Sequence, residues 1–405
     1  MMSNTIFKKI DWILILLSAF LLIIGLMAIY SATFATHGSE YFSRQLIIAT
    51  IGFIGMLMMA FIPFRWLQRM SFLFYFVSLI LLFLIFLIGT KGYGAERWIV
   101  LAGIKLQPAE LAKIATIMAV AAYVADYNVN VNRFRHFIVV AILVFLPMLL
   151  IARQPDLGTS LVFLALFIPL LYWAGLNWFA LFILVAPVIT LIVSFNFYAF
   201  LVWMIVVSAI LFLSGRKPVI LASIFAFHIA VGLFTPVMWN QLRPYQQKRL
   251  LTFANPESDP HGAGYQIIQS KVAIGSGGLW GKGYLNGTQT QLKFLPAQHT
   301  DFIFSVIGEE WGFTGVLLIL GLLLLLLLYL LHLAVQVRST FASLTLVGIA
   351  TVLFFHIFVN IGMTVGLAPV TGLPLPFISY GGSFLAVTLL MMGLAHNFSA
   401  NRYQR

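Results

Sequence analysis

Apolar runs of about 20 residues follow one another along almost the whole chain, each long enough to cross a ~30 Å hydrocarbon core as a helix. In lipid every backbone polar group must find its partner inside the protein, which is why such runs become helices. Composition agrees: 62% of the 405 residues are hydrophobic and only 8% are charged, against roughly a quarter charged in a soluble domain. The mean hydropathy is +1.03. No soluble domain of ordinary size fits anywhere, so residues 1–405 read as one integral membrane domain. The absence of cysteine excludes disulfides and thiolate metal sites. The start "MMSNTIFKKIDWILILL" is basic but lacks a small-residue cleavage site. Its apolar run from Trp12 to Ser31 is too long for a cleaved signal and reads as a first span.

The pattern predicts an all-α polytopic protein with spans near 12–33, 46–63, 71–89, 108–126, 137–152, 157–175, 178–196, 199–214, 218–239, 315–334, 342–363 and 380–397. Twelve spans put both termini on one side. Alternate short loops then carry Lys8, Lys9, Arg65, Arg69, Arg133, Arg135, Arg216, Lys217, Arg338, Arg402 and Arg405. The positive-inside rule assigns that face to the cytoplasm. The other face also holds eleven cations, Arg44, Lys91, Arg97, Lys105, Arg153, Arg243, Lys248, Arg249, Lys271, Lys282 and Lys293. Long loops cross regardless of charge, which accounts for any single lysine. The set as a whole suits an anionic ligand at the outer surface.

Residues 240–300 form the one long extracytoplasmic loop. Asn255-Pro256 and Asp259-Pro260 mark turns, and "GYQIIQSKVAIG" has the spacing of a short helix lying on the membrane. "GSGGLWGKGYLNG" is dense in glycine but lacks the GxxxxGK[ST] spacing of a Walker loop. Glycine permits close backbone approach to a ligand, and it equally makes a flexible loop.

Four stretches carry chemistry. In "QPAELAKIA", Glu110 and Lys113 share a helix face and can pair, either bracing helices or marking a polar cavity. In "ARQPDLGTS", Asp156 follows Pro155 on a tight outer turn, where it can cap the next helix or serve chemistry. "GLAPVTGLPLPFISYGGS" breaks the helix at membrane depth, which is tolerated only against protein or a cavity. Asn360, Thr371, Ser379 and Ser383 add polar lining there. In "FLPAQHTDFIFSVIGEEWG", Asp301 stands ahead of an apolar run. It can cap that helix, or act as a general base with a raised pKa. Glu309 and Glu310 can pair with loop cations.

Together these stretches resemble the SEDS family (shape, elongation, division and sporulation), and its elongation branch in particular. The matching segments are "RW" at Arg97-Trp98, "QPAELAK", "QPDLGTS", the run from "NPESDPHGAGYQ" through "GKGYLNGTQTQLKFLPAQHTDFIFSVIGEEWG", and "GLPLPFISYGGS", in family order from about residue 91 to 383. The resemblance implies a peptidoglycan glycosyltransferase that polymerises lipid II at the outer face of the bacterial cytoplasmic (inner) membrane. It also implies a class B penicillin-binding protein as crosslinking partner, and no nucleic acid. The family's essential aspartate falls on Asp301, its motif Glu and Lys on Glu110 and Lys113, and its other aspartate on Asp156. Arg97, Lys271, Lys282 and His299 lie in the matching segments and go with these as substrate-binding candidates. Ala109 stands where the family usually has Ser, and Ala297 where it usually has Glu. The family usually has ten spans, so the pair near 178–214 reads as an insertion that preserves the topology.

The chemistry fits. A sugar hydroxyl is a poor nucleophile and gains from a positioned carboxylate. A lipid pyrophosphate leaves readily and needs no general acid, unlike the leaving group in glycoside hydrolysis. The developing charge calls for cations, from the outer Lys and Arg or from a divalent ion such as Mg or Mn. The broken helix and internal charges leave open a lipid-precursor flippase, although the inverted repeats common in transporters are not evident. A scaffold that only activates its partner is a third reading.

Overall fold

The computed structural model describes residues 10–403 except 89, 93–94, 102–103, 127–128, 243–246, 248–250, 253–262 and 293. Its helices are α1 (Trp12–His37), α2 (Glu40–Met59), α3 (Phe64–Ile88), α4 (Pro108–Asp126), α5 (Phe134–Arg153), α6 (Leu157–Trp173), α7 (Trp178–Val193), α8 (Phe197–Leu213), α9 (Pro218–Gln241), α10 (Ala263–Ser276), α11 (Thr288–Gln291), α12 (Ile303–Gln336), α13 (Thr340–Val365) and α14 (Gly382–Ala400). Among the described residues nine helices are long and apolar enough to cross a membrane, and three shorter apolar ones, α6, α7 and α8, join them. The expected helices therefore all form, and the protein is an all-α polytopic membrane protein. The segment after α3 departs from the expectation of a loop. It pairs as a three-stranded antiparallel sheet of β1 (Thr90–Gly92), β2 (Ala95–Leu101) and β3 (Ile104–Leu106), with Ile99 opposite Leu106. The run "WIVL" inside β2, with aromatic Trp98 and β-branched Ile99 and Val100, has strand propensity that an apolar-length criterion does not register.

Side-chain size sorts the helices. α4 is rich in alanine, and Ala109, Ala112, Ala115, Ala119, Ala121 and Ala122 are all buried. Small residues let helix backbones approach closely where there is no hydrophobic drive between helices. Gly348 of α13 faces Ile117 of α4, whose side chain would lie 2.4 Å from a Cβ there. α4, α13 and α14 thus form the centre, and α7, α8 and α9 pack on one another at the edge around Phe179, Val207 and Leu211. At one end of the bundle Asp11 caps α1 through the Leu14 amide (3.2 Å) and accepts from the Tyr329 and Ser399 hydroxyls. One carboxylate so ties α1, α12 and α14 together.

α12 is 34 residues long, roughly 51 Å at 1.5 Å per residue, which is too long for the bilayer unless it bends. It breaks at Gly312 (φ +65°, ψ −163°). The glycine-dense segment 277–283 docks into that break through backbone bonds. The Phe313 amide donates to the Gly278 carbonyl (2.9 Å), and the amides of Lys282 and Gly283 donate to the carbonyls of Glu309 and Glu310 (both 3.0 Å). A Cβ on Gly281 (φ +81°) would stand 2.1 Å from the Glu310 carbonyl oxygen, and one on Gly277 would stand 2.0 Å from that of Gly308. The glycines thus serve contact of backbone with backbone, which explains their density without a phosphate cradle. α10 forms as expected from its spacing and buries Ile267, Ser270 and Ala273 against the bundle. The Ser270 hydroxyl reaches the Thr364 carbonyl and the Ser305 hydroxyl, both at 2.6 Å.

Gly281→Ala is expected to destabilise the fold by at least about 2 kcal/mol, from positive φ and backbone clash together. Gly275→Ala, with nothing within 4 Å of the added Cβ, is expected to be neutral or mildly stabilising in a helix. Thermal unfolding of both variants in detergent checks the contrast.

Candidate active site

Asp301 sits on a turn whose hub is the Ala297 carbonyl, which accepts from the amides of Thr300 and Asp301 (both 3.1 Å) and of Phe302 (3.3 Å). Ala297 itself lies in the left-handed region (φ +53°), the kind of local strain that persists where surrounding structure holds it. The helix that follows begins at Ile303, and its N-cap is Phe302, with no side chain bonded to the first turn. Asp301 therefore does not cap α12. Its carboxyl is half-buried. Burial pushes it up to about 6 from the ordinary carboxylate value, opposed by a side-chain hydrogen bond from Thr300.

The wall behind the turn is the broken segment between α13 and α14, and side chains satisfy the backbone that helix geometry would have paired. The Asn360 amide donates to the carbonyls of Asp301 (2.9 Å) and Leu373 (2.8 Å). The Ser379 hydroxyl donates to the Thr300 carbonyl (2.6 Å) and accepts from the Leu375 amide (2.8 Å). The Tyr380 amide donates to the His299 carbonyl (2.9 Å). Above these bonds the rings of Tyr41, His299 and Tyr380 pack together, Tyr380 edge to face with both others, with centroids 4.9–5.7 Å apart. Gly372 brings its backbone close to the carboxylate: a Cβ there would lie 3.4 Å from Asp301 Oδ2. Next to it Thr371 Oγ1, and nearby Asn360 Oδ1, are buried without a hydrogen-bond partner. Orphan polar atoms beside a carboxylate are where a hydroxylated ligand finds its bonds.

Glu110 and Lys113 pair at 2.7 Å, as their spacing predicts. Both are buried, Lys113 completely, and neither reaches the surface beside Asp301. Lys113 donates to His356 Nε2 (3.0 Å), so the ring proton sits on Nδ1 and donates to the Pro374 carbonyl (3.1 Å). The pair thus holds the broken segment from behind. Asp156 is likewise buried, and it caps α6 through the Thr159 amide (3.2 Å) and hydroxyl (3.0 Å). The next turn meets the same segment, since a Cβ on Gly158 would lie 2.9 Å from the Thr371 carbonyl oxygen. His299 contributes its ring and carbonyl as described. Lys271 is exposed and lies across Gly366, where a Cβ would stand 2.6 Å from its Nζ. Arg97 belongs to β2, and its side chain lies outside the described residues.

Lys282 has a structural partner. It bonds Glu309 (2.8 Å) and the Thr288 hydroxyl (2.7 Å). Glu309 is fully buried and also accepts from the amides of Gln289 (2.9 Å) and Thr290 (3.2 Å), which fastens α11 onto α12. Glu310 accepts from Ser31 and ties in α1. Tyr41, Tyr380 and His356 were not singled out from the sequence. The retrievable signal is the pair His356 and Asn360, polar residues at i, i+4 within an apolar helix. Among the described residues no three His, Asp or Glu side chains gather as metal ligands.

The model of the family described as "Cell cycle protein", which groups FtsW, RodA and SpoVE, matches residues 11–203 and 196–404. Its two segments meet at the start of α8, within the helix pair expected as an insertion. The chain belongs to this family and is a glycosyltransferase. It stands close to the RodA proteins. Peptidoglycan glycosyltransferase MrdB of Escherichia coli K12 is 36% identical over 99% of this chain and 96% of its own length. Peptidoglycan glycosyltransferase RodA of Treponema pallidum is 34% identical over 97% and 98%. A solved chain from work on "structural coordination of polymerization and crosslinking by a peptidoglycan synthase complex" superposes with a TM-score of 0.75, at 32% identity, over 98% of this chain and 99% of that one.

Glu309→Ala strands Lys282 and several amide and hydroxyl donors, and is expected to cost about 3–5 kcal/mol, the range for removing one partner of a buried ion pair. Lys282→Met leaves Glu309 its other donors and is expected to cost at most about half of that. Chemical denaturation of the two variants beside the parent gives the ranking.

Proposed function

We propose that the chain polymerises lipid II into glycan strands at the outer face of the cytoplasmic membrane, with Asp301 as the general base. The observation that carries this reading is the Asp301 carboxyl: half-buried, not engaged as a helix cap, and flanked by orphan polar atoms that suit a sugar. At neutral pH a carboxyl with a pKa of about 6 is ionised yet basic enough to take a proton, which matches the optimum for a general base. The acceptor hydroxyl gives its proton to Asp301 as its oxygen attacks the sugar carbon of the donor, and the lipid pyrophosphate departs. Lys271, which lies across Gly366 at the start of the segment behind Asp301, supplies a cation for that leaving group, whereas Lys282 is committed to Glu309. The short basic loops put both termini in the cytoplasm. The elongation-type segment from Gly281 to Pro296 favours a role in rod-shape growth. A class B penicillin-binding protein is the expected partner, in keeping with the synthase complex that contains the structural relative.

Purified protein in vesicles with labelled lipid II tests the proposal. Asp301→Asn is expected to lower polymerisation by roughly 10²–10⁴-fold, the range for a lost general base. Polymer made by this variant at the parent's rate overturns the assignment, and lipid II moved across the bilayer without polymer marks a flippase instead. In the parent, activity is expected to fall as pH drops below about 6. The stability change has the opposite sign. A carboxyl whose pKa is raised on folding stabilises the fold at low pH, and that contribution is lost as pH rises from about 4 through 6. Asp301→Asn is therefore expected to raise stability at pH 7 by up to about 3 kcal/mol, seen as a higher melting temperature in the inactive variant.

A further inference from the structure

The end of the bundle opposite Asp301 holds a cavity that the reaction does not use. α2 and α14 both begin beside the aromatic cluster, and both finish at this second site, about 30 Å away along α2 at 1.5 Å per residue. Here a cavity of about 650 Å³ opens, lined by Ile15, Leu57 and Phe61 on its apolar walls and by Arg65, His396 and Asn401. Its size is within the ~300–1,000 Å³ of ligand sites. The wall is built in advance, because the Asn397 amide holds the turn after α2 through the carbonyls of Met59 (2.7 Å) and Ile62 (2.8 Å).

One atom in this cavity lacks what burial requires. His396 is only 2% exposed, and its Nδ1 has no hydrogen-bond partner. A buried polar nitrogen left unpaired is destabilising, so the site is incomplete without a partner for it. Arg65 is exposed at the same cavity and presents a guanidinium fork suited to phosphate oxygens. The carboxylate within electrostatic reach of His396 is Asp11, already engaged by the Leu14 amide and the Tyr329 and Ser399 hydroxyls. A cation at the rim, a lining imidazole whose Nδ1 is unpaired and apolar walls, all at the ends of membrane helices, match one ligand chemistry: a phosphate diester carrying acyl chains. We propose that this cavity binds one anionic phospholipid, with its phosphate between Arg65 and His396 and the start of an acyl chain along Ile15, Leu57 and Phe61. The orientation proposed above places that lipid in the cytoplasmic leaflet. Binding itself does not depend on the role of Asp301.

Full-length protein is delipidated in detergent, exchanged into nanodiscs of phosphatidylcholine with 20% phosphatidylglycerol, and released for native mass spectrometry. The parent is expected to retain one phosphatidylglycerol. Arg65→Gln and His396→Gln are each expected to weaken retention about tenfold, while Arg69→Gln, at the same end but outside the cavity, leaves it unchanged. Retention of phosphatidylcholine as strong as that of phosphatidylglycerol, parent-like retention in both cavity variants, or an equal loss in Arg69→Gln overturns the proposal. If His396→Gln fails to fold, Arg65→Gln alone decides. Lipid II is absent throughout, so the outcome is independent of polymerisation.

Discussion

A chain that leaves helical geometry inside a bundle of this kind must replace each backbone hydrogen bond it gives up, because neither lipid nor a dry interior supplies one. Residues 366–381 are such a segment, and the arrangement of the site follows from how they are satisfied. Asn360 bridges two carbonyls, Ser379 accepts from one strand of the segment and donates to the turn before α12, and His356 covers a third carbonyl. The Asp301 turn is held by the same side chains that hold the break. Position of the carboxylate and integrity of the irregular segment are therefore one problem with one solution.

The buried Glu110–Lys113 pair belongs to that solution. Removing two charges from water is costly, and the attraction between them repays this only when further bonds complete the geometry. Here the third contact, from Lys113 to His356, passes the constraint on to Pro374. The electrostatics of the site separate along the same line. Inside the bundle Glu110 and Glu309 each stand in an ion pair, with Lys113 and Lys282, whereas Asp301, at its mouth, is shifted chiefly by burial.

The helices were legible in the sequence because span length and charge asymmetry are local properties of the chain. The site was legible in part. Asp301 stood out as a carboxylate at the edge of an apolar run, and the Glu110–Lys113 pairing followed from i, i+3 spacing. What spacing could not supply was the choice between capping and chemistry. Asp156 does cap and Asp301 does not, which depends on where each helix takes its first turn. From the sequence Lys282 reads as a ligand-binding cation, because its partner Glu309 lies 27 residues on and nothing local links them. Tyr41 and Tyr380 meet His299 from distant parts of the chain, and no pattern within one element announces such a cluster.

The contact between segment 277–283 and the bend in α12 has a consequence for how the protein can change over time. Gly277, Gly281 and Gly312 each abut backbone atoms at 2.0–2.2 Å from where a side chain would begin. An overcrowded core can be relieved by shrinking the neighbouring residue, but a peptide group cannot be shrunk. Substitutions at these three positions therefore have no second-site remedy. Descendants of this chain can explore new loops, new partners and new lipid-facing surfaces, while this junction stays a fixed point in their divergence.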